Sequence, residues 1–180
     1  MKNELDILRE VSAKWRELQI PYMLTGSMAL SFYEHPRMTR DIDFVIDVTP
    51  EDVPKLVAGM EGEYYVPREI VKKAAKDRTQ FNLIHLESVI KVDCFVRKDT
   101  EFGKLEFLRR RPIVREDLET VVVSKEDLIL SKLAWARPSH SEFQLRDVRS
   151  LLETAYDKKY LDVWADKLGL RDLLEECLHG

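Results

Sequence analysis

The sequence predicts an α+β fold, a mixed sheet with flanking helices followed by a C-terminal helical extension. Three observations predict it. Apolar residues recur at helical spacing over Asn3–Leu18 and again from Ser124 onward. Between these stretches, runs rich in Ile, Val, Phe and Tyr at Tyr22–Thr25, Asp41–Val48, Phe81–Leu86 and Val89–Val96 read as strands. Helix-sized segments separate several of these runs, without internal repeats or low-complexity tracts. The expected division is residues 1–120 as an α/β core and 121–180 as a helical region packed on it.

The elements follow in order. Leu5, Leu8, Val11, Trp15 and Leu18 form one apolar stripe, with Asn3 as N-cap, and Pro21 ends that helix. Tyr22–Thr25 is a short buried strand, Gly26 turns the chain, and Ser27–Tyr33 is helical up to His35-Pro36, since a residue before proline avoids the helical region. Asp41–Val48 is a strand. Thr49 then caps a helix with Pro50 at its first position, running to about Met60. A short strand near Tyr64–Val66 and a Lys-rich helical stretch come next. Glu87-Ser88 joins the strands Phe81–Leu86 and Val89–Val96 as a hairpin, with His85 half-exposed. Val121–Val123 is a further strand. Ser124 and Asp127 form a capping box for a helix reaching Ala136, Ser141 to about Tyr156 is another helix, and Leu161–Leu178 supplies one or two more. Leu128, Trp135, Val148, Leu151, Leu152 and Tyr156 are the expected helix–helix core.

Composition bounds the class. The 180 residues are 44% hydrophobic and 34% charged, an ordinary globular mix in a chain large enough to build a core unaided. Cys94 and Cys177 are too few for a disulfide scaffold or a thiolate zinc site, and the four histidines lack helical zinc spacing. No apolar run reaches membrane-span length and the acidic N-terminus has no signal-peptide core, so the expectation is a cytoplasmic protein with no membrane partner. A net charge of −4 argues against a globally basic nucleic-acid binder. The charge is uneven, however. Arg97–Arg115 holds seven Lys/Arg against three Asp/Glu, and Ser141 to the end holds six against nine. A basic middle with an acidic tail suits a phosphate-rich ligand on one face.

Three carboxylates and one turn carry the chemistry. Asp41 and Asp43 stand two apart on a strand, so they share a face. Asp93 lies in Lys91-Val92-Asp93-Cys94-Phe95, with apolar residues alternating onto the opposite face. On neighbouring strands the three would repel one another, and a hard divalent cation relieves that repulsion. Two such ions can clamp the attacking and leaving oxygens of a phosphoryl or nucleotidyl transfer. Upstream, Thr25-Gly26-Ser27 joins a strand to a helix. Glycine admits close backbone approach, helix N–H groups face an anion, and Ser27 adds a hydroxyl.

The series Gly26-Ser27, a spacer, Asp41-x-Asp43, then Asp93 resembles the minimal motif of the DNA polymerase beta type of nucleotidyltransferase. Thr25–Tyr33 followed by Arg37-Met38-Thr39-Arg40-Asp41-Ile42-Asp43-Phe44 is similar to the branch containing the AbiEii-type toxins, as are Lys132-Leu133-Ala134-Trp135-Ala136-Arg137 and Arg146-Asp147. The resemblance covers roughly residues 22 to 150. It implies a Mg²⁺-dependent transfer, with two ions, of a nucleoside monophosphate from a triphosphate such as ATP to a hydroxyl of tRNA, protein or a small molecule. It implies Asp41, Asp43 and Asp93 as metal ligands and catalytic residues, and Asp147 as the group that orients a catalytic group or activates the acceptor hydroxyl. Gly26, Ser27, Arg37, Thr39 and Lys132 would bind the nucleotide. An antitoxin protein and RNA are the implied partners. The rival reading is a catalytically silent nucleotide-binding or protein-interaction module of the same fold. Retention of all three carboxylates favours the enzyme.

Overall fold

The computed structural model describes residues 2–34 and 39–180. Helix α1 (Glu4–Glu17) starts at a reciprocal cap: Asn3 Oδ1 accepts from the Asp6 N–H at 3.0 Å, and Asp6 Oδ2 accepts from the Asn3 N–H at 2.9 Å. It buries Ile7, Leu8, Val11 and Trp15. The chain then forms β1 (Tyr22–Thr25), the short helix α2 (Gly26–Leu30) and β2 (Ile42–Ile46). A 3₁₀ turn (Pro50–Asp52) leads into α3 (Val53–Met60), followed by β3 (Tyr64–Tyr65), α4 (Arg68–Asp77), β4 (Gln80–His85) and β5 (Lys91–Val96). Next come α5 (Glu101–Leu108), β6 (Arg111–Arg115) and β7 (Leu118–Val122). Helices α6 (Lys125–Ala136), α7 (Glu142–Leu152), α8 (Lys158–Lys167) and α9 (Arg171–His179) close the chain.

The chain divides into two compact units, Met1–Met28 with Met38–Val123, and Ala29–Arg37 with Ser124–Gly180. The first holds a mixed sheet in the order β3-β4-β5-β2-β1-β7-β6. Strand β2 pairs antiparallel with β1 and parallel with β5, and β1 pairs parallel with β7. Register gives one face a row of apolar residues, Val122, Leu24, Phe44, Cys94 and Phe81, all buried. Helix α1 covers that face, with the Trp15 and Tyr22 rings meeting Phe44 edge-on at 6.3 and 5.7 Å. The Ser12 and Thr120 hydroxyls pair at 2.9 Å, satisfying both where α1 meets β7. In the second unit, Leu128, Leu133, Leu145, Val148, Leu151, Leu161 and Leu174 are buried among α6 to α9.

Several expectations change. Helix α5 and strand β6 escape the sequence reading. The first has Gly103 in its first turn and little apolar periodicity, and the second is an exposed edge strand of Arg111-Pro112-Ile113-Val114-Arg115. Strand β7 begins at Leu118, because Thr120 takes a buried position in its alternation. His85 is buried, not half-exposed. Its Nδ1 accepts from the Ser88 N–H at 3.1 Å and its ring meets Tyr64 at 5.3 Å, so the hairpin turn satisfies it internally. Trp135 is 41% exposed and lies outside the helix–helix core, while its neighbour Ala136 is buried. The helix stop expected at His35-Pro36 lies outside the described residues.

Candidate active site

On the face opposite Phe44 and Cys94, one row is polar. The same register that aligns the apolar row sets Thr25, Asp43, Asp93 and Asn82 side by side across β1, β2, β5 and β4. Asp43 and Asp93 are direct partners on parallel strands, so two of the three expected carboxylates are neighbours. Asp41 stands just before β2 and is exposed. Its N–H donates to Thr39 Oγ1 at 3.3 Å, which ties Thr39 to the carboxylate's backbone.

Gly26 meets this row directly. With φ at +66° it adopts a conformation that glycine tolerates best, and a Cβ there would lie 2.2 Å from Asp43 Oδ2. The Asp43 carboxylate therefore occupies the space a side chain would need. Ser27 follows within α2, a helix of five residues.

Three residues that sequence reasoning left unassigned complete the row. Lys91 Nζ donates to Asp93 Oδ2 at 2.9 Å. The hydrogen bond to Asp93 holds the ammonium's pKa above the ordinary lysine value, and the charges of Asp93, Asp41 and Asp43 add to it against desolvation. In the orientation its neighbours require, the Asn82 amide nitrogen donates to Asp93 Oδ1 at 2.6 Å. Thr25 Oγ1 is buried with no hydrogen-bond partner, beside Asp43 in the register. A buried polar group left so costs about 1–3 kcal/mol, which structure at a ligand site commonly tolerates. Lys91 and Asn82 were findable, since both fall on the Asp93 face by strand alternation once the hairpin is paired. The Thr25 orphan has no sequence signal.

The donor chemistry of three carboxylates suits a hard cation such as Mg²⁺. Among the described residues, no group of three or more His, Cys, Asp or Glu side chains is already gathered as a metal site. Asp93 is instead engaged by Lys91 and Asn82. A cleft of about 540 Å³ opens beside Asp41, with Arg40, Ser88, Val89, Ile90 and Lys91 in its wall.

Two of the remaining expected residues lie in the second unit. Lys132 on α6 and Asp147 on α7, taken separately in the sequence, form one buried ion pair with Nζ 2.7 Å from Asp147 Oδ2. The Lys132 side chain is 0% exposed, and its Nζ also donates to Gln144 Oε1 at 3.2 Å. Arg37 lies outside the described residues.

Residues 7–149 match the family of the nucleotidyl transferase AbiEii toxin of type IV toxin–antitoxin systems. The chain belongs to the AbiEii nucleotidyltransferase family. No curated protein matches it. In fold, this AbiEii-family chain is similar to an antigenic nucleotidyltransferase-like protein from Paracoccidioides brasiliensis, at 17% identity and TM-score 0.57, over 96% of this chain and 90% of that one. It is also similar to the lincosamide antibiotic adenylyltransferase LnuA in its lincomycin-bound form, at 15% identity and TM-score 0.51, over 79% of this chain and 92% of that one. A third is the antibiotic-resistance factor ANT(2'')-Ia, at 15% identity and TM-score 0.57, over 93% and 91%. At these identities the likeness speaks to the fold, which is that of nucleotidyltransferases. The AbiEii-family chain is thus a nucleotidyltransferase. Among the described residues, no helix is long and apolar enough to cross a membrane.

Proposed function

We propose that this chain transfers a nucleoside monophosphate from a nucleoside triphosphate, ATP among them, to a hydroxyl acceptor in a Mg²⁺-dependent reaction. The observation that carries the reading is the Thr25–Asp43–Asp93–Asn82 row with Gly26 closed against Asp43. Asp41, Asp43 and Asp93 are the residues that would hold two Mg²⁺ ions, which supply charge neutralisation for the triphosphate and the departing pyrophosphate. Gly26, Ser27, Thr39 and Arg37 are assigned to the nucleotide. The acceptor oxygen bonds to the α-phosphorus as the bond to the β-phosphate oxygen breaks, and pyrophosphate leaves. The acceptor proton passes to an Asp93 carboxylate oxygen and from there to water.

Residues 1–120 are the proposed catalytic core and 121–180 the proposed helical region. Within the latter, Lys132 and Asp147 fix α6 against α7. A phosphate contact by Lys132 requires that phosphate take the place of Asp147, because the ammonium has no solvent exposure. The acceptor is drawn from three classes. The antibiotic-modifying neighbours support a small molecule, and the toxin family supports RNA or protein, an antitoxin partner and a cytoplasmic setting.

The test is incubation with each α-labelled triphosphate and Mg²⁺, in separate arms with total RNA, lysate protein, and a lincosamide or aminoglycoside. The expected result is label on one acceptor class, stoichiometric pyrophosphate, and loss of both with EDTA. Absence of label and pyrophosphate from every arm overturns the reading.

A further inference from the structure

The Asp93 carboxylate is divided between two partners of different kinds. Asn82, a neutral amide, holds Oδ1 at 2.6 Å, and Lys91, a cation, holds Oδ2 at 2.9 Å. The amide fixes the carboxylate's orientation whatever occupies Oδ2. Lys91 is two residues before Asp93 on β5 and so shares its face. Because Ile42 faces Val92 and Asp43 faces Asp93, Asp41 is level with Lys91 in the parallel register. One ammonium therefore stands within a square whose other three corners are carboxylates. It is the one cation on that square among the described residues.

The ammonium is also free to leave. The Lys91 side chain is 46% exposed, against 0% for Lys132 in its ion pair. Its four-carbon stem turns easily at such exposure. It already lines the cleft of about 540 Å³ beside Arg40 and Asp41, which gives it a solvated place to go. With Lys91 at 46% and Asp93 at 16% exposure the pair is reached by solvent from the lysine side, so a doubly charged cation can displace the ammonium.

We propose that Lys91 is an internal counter-cation that competes with the divalent metal for Asp93 Oδ2, so that metal binding and withdrawal of the Lys91 ammonium are a single exchange. This rests on the metal role assigned above to Asp41, Asp43 and Asp93. Without metal, Lys91 offsets part of the carboxylate repulsion and leaves Asp93 unavailable. When metal arrives, Asn82 keeps Oδ1 in place and Lys91 swings into the cleft. Lys91 is a positioning residue, and its effect falls on metal affinity before any chemistry occurs.

The test is calorimetric titration of the full chain with Mn²⁺ and with Mg²⁺, without nucleotide, alongside circular dichroism to verify the fold. The variants are Lys91→Met, Lys91→Gln, Lys91→Arg, Asp43→Asn, and Lys104→Met. Lys104 pairs with Asp99 at 2.9 Å, so its variant removes one charge away from the row. Lys91→Met and Lys91→Gln are expected to bind Mn²⁺ about fivefold more tightly than the parent, the order of factor that removal of one partly solvated competing ion pair allows. Lys91→Arg and Lys104→Met are expected to match the parent, and Asp43→Asn to lose binding. Unchanged or weaker binding by Lys91→Met and Lys91→Gln, with binding lost in Asp43→Asn, overturns the role of Lys91 alone. The same gain in Lys104→Met also overturns it, as a bulk charge effect. Parental binding by Asp43→Asn overturns the metal assignment itself, and this inference with it.

Discussion

Gly26 and Asp43 are in direct steric contact, with the carboxylate filling the volume where a Gly26 Cβ would stand, 2.2 Å from Oδ2. Gly26→Ala should therefore act on the site and not merely on the turn. A left-handed alanine costs about 1–2 kcal/mol, and Asp43 must also shift. The expected outcome is a modest fall in urea midpoint with a loss of nucleotidyl transfer well beyond it. Parental activity in a folded Gly26→Ala protein would show that the contact is incidental.

Asp43→Asn is nearly isosteric, and Asp43 is only half-buried. Stability should stay within about 1 kcal/mol of the parent. Transfer should be abolished, because the charge that would hold the metal is gone. Retained activity with parental Mg²⁺ dependence contradicts the assignment.

The Lys132–Asp147 pair makes a different prediction, about stability. Lys132→Met leaves a carboxylate buried without its cation, which typically costs about 3–5 kcal/mol. The double variant Lys132→Met with Asp147→Leu should recover most of that loss, since both charges then leave together. Urea denaturation of the single and double variants measures the coupling. Additive losses would mean that the pair is not one unit.

Asp52 supplies a pH-dependent term. The Thr49 N–H donates to Asp52 Oδ2 at 2.9 Å, and Lys55 lies 2.9 Å from Oδ1. The Thr49 hydrogen bond first, and the Lys55 bond second, hold the carboxyl below its ordinary value of 3.8. A depressed folded value stabilises the protein above the unfolded value and is lost as pH falls through the folded one. Asp52→Ala should lower stability at pH 7 by less than about 1 kcal/mol, because solvent screens the group. The gap from the parent should close below pH 3.8, as read from urea midpoints across that range. A gap that persists in acid would assign the effect to packing.

Both thiols should be silent in the folded protein. Cys94 is fully buried, and burial pushes its thiol well above the ordinary range, with Asp93 and Asp43 adding to the effect. Cys177 is pushed up to about 11, chiefly by burial. A disulfide reagent at pH 8 should label neither quickly and both after denaturation. Fast native labelling of either would contradict its burial.

Alternation was the legible signal. It marked Asp43 and Asp93 as members of a polar face while Ile42, Phe44, Val92 and Cys94 went to the core, and register then made the two carboxylates neighbours. The caps at Asn3 and Ser124 were equally plain, since each places its oxygen where an N–H needs one. What sequence could not show were partners set by pairing between distant strands. Asn82 reaches Asp93 only because β4 and β5 pair with those two residues opposite each other. The sequence assigns Lys132 to the nucleotide, whereas its burial depends on α7 bringing Asp147 to it. Strand β6 was illegible because an exposed edge strand buries neither face and so need not alternate.

The parallel register of β2 and β5 makes the polar row sensitive to chain length rather than to residue type. Successive side chains on β5 point to opposite faces. Deleting one residue between the hairpin turn and Asp93 would leave every proposed catalytic residue in the chain. If the turn kept its pairing, Cys94 would arrive beside Asp43, and Asp93 would be driven into the layer of Trp15 and Phe44. A two-residue deletion would restore the face but displace the carboxylate by one full pleat, roughly 7 Å along the strand. Site and core here are two readings of a single parity, and an odd change of spacing exchanges them.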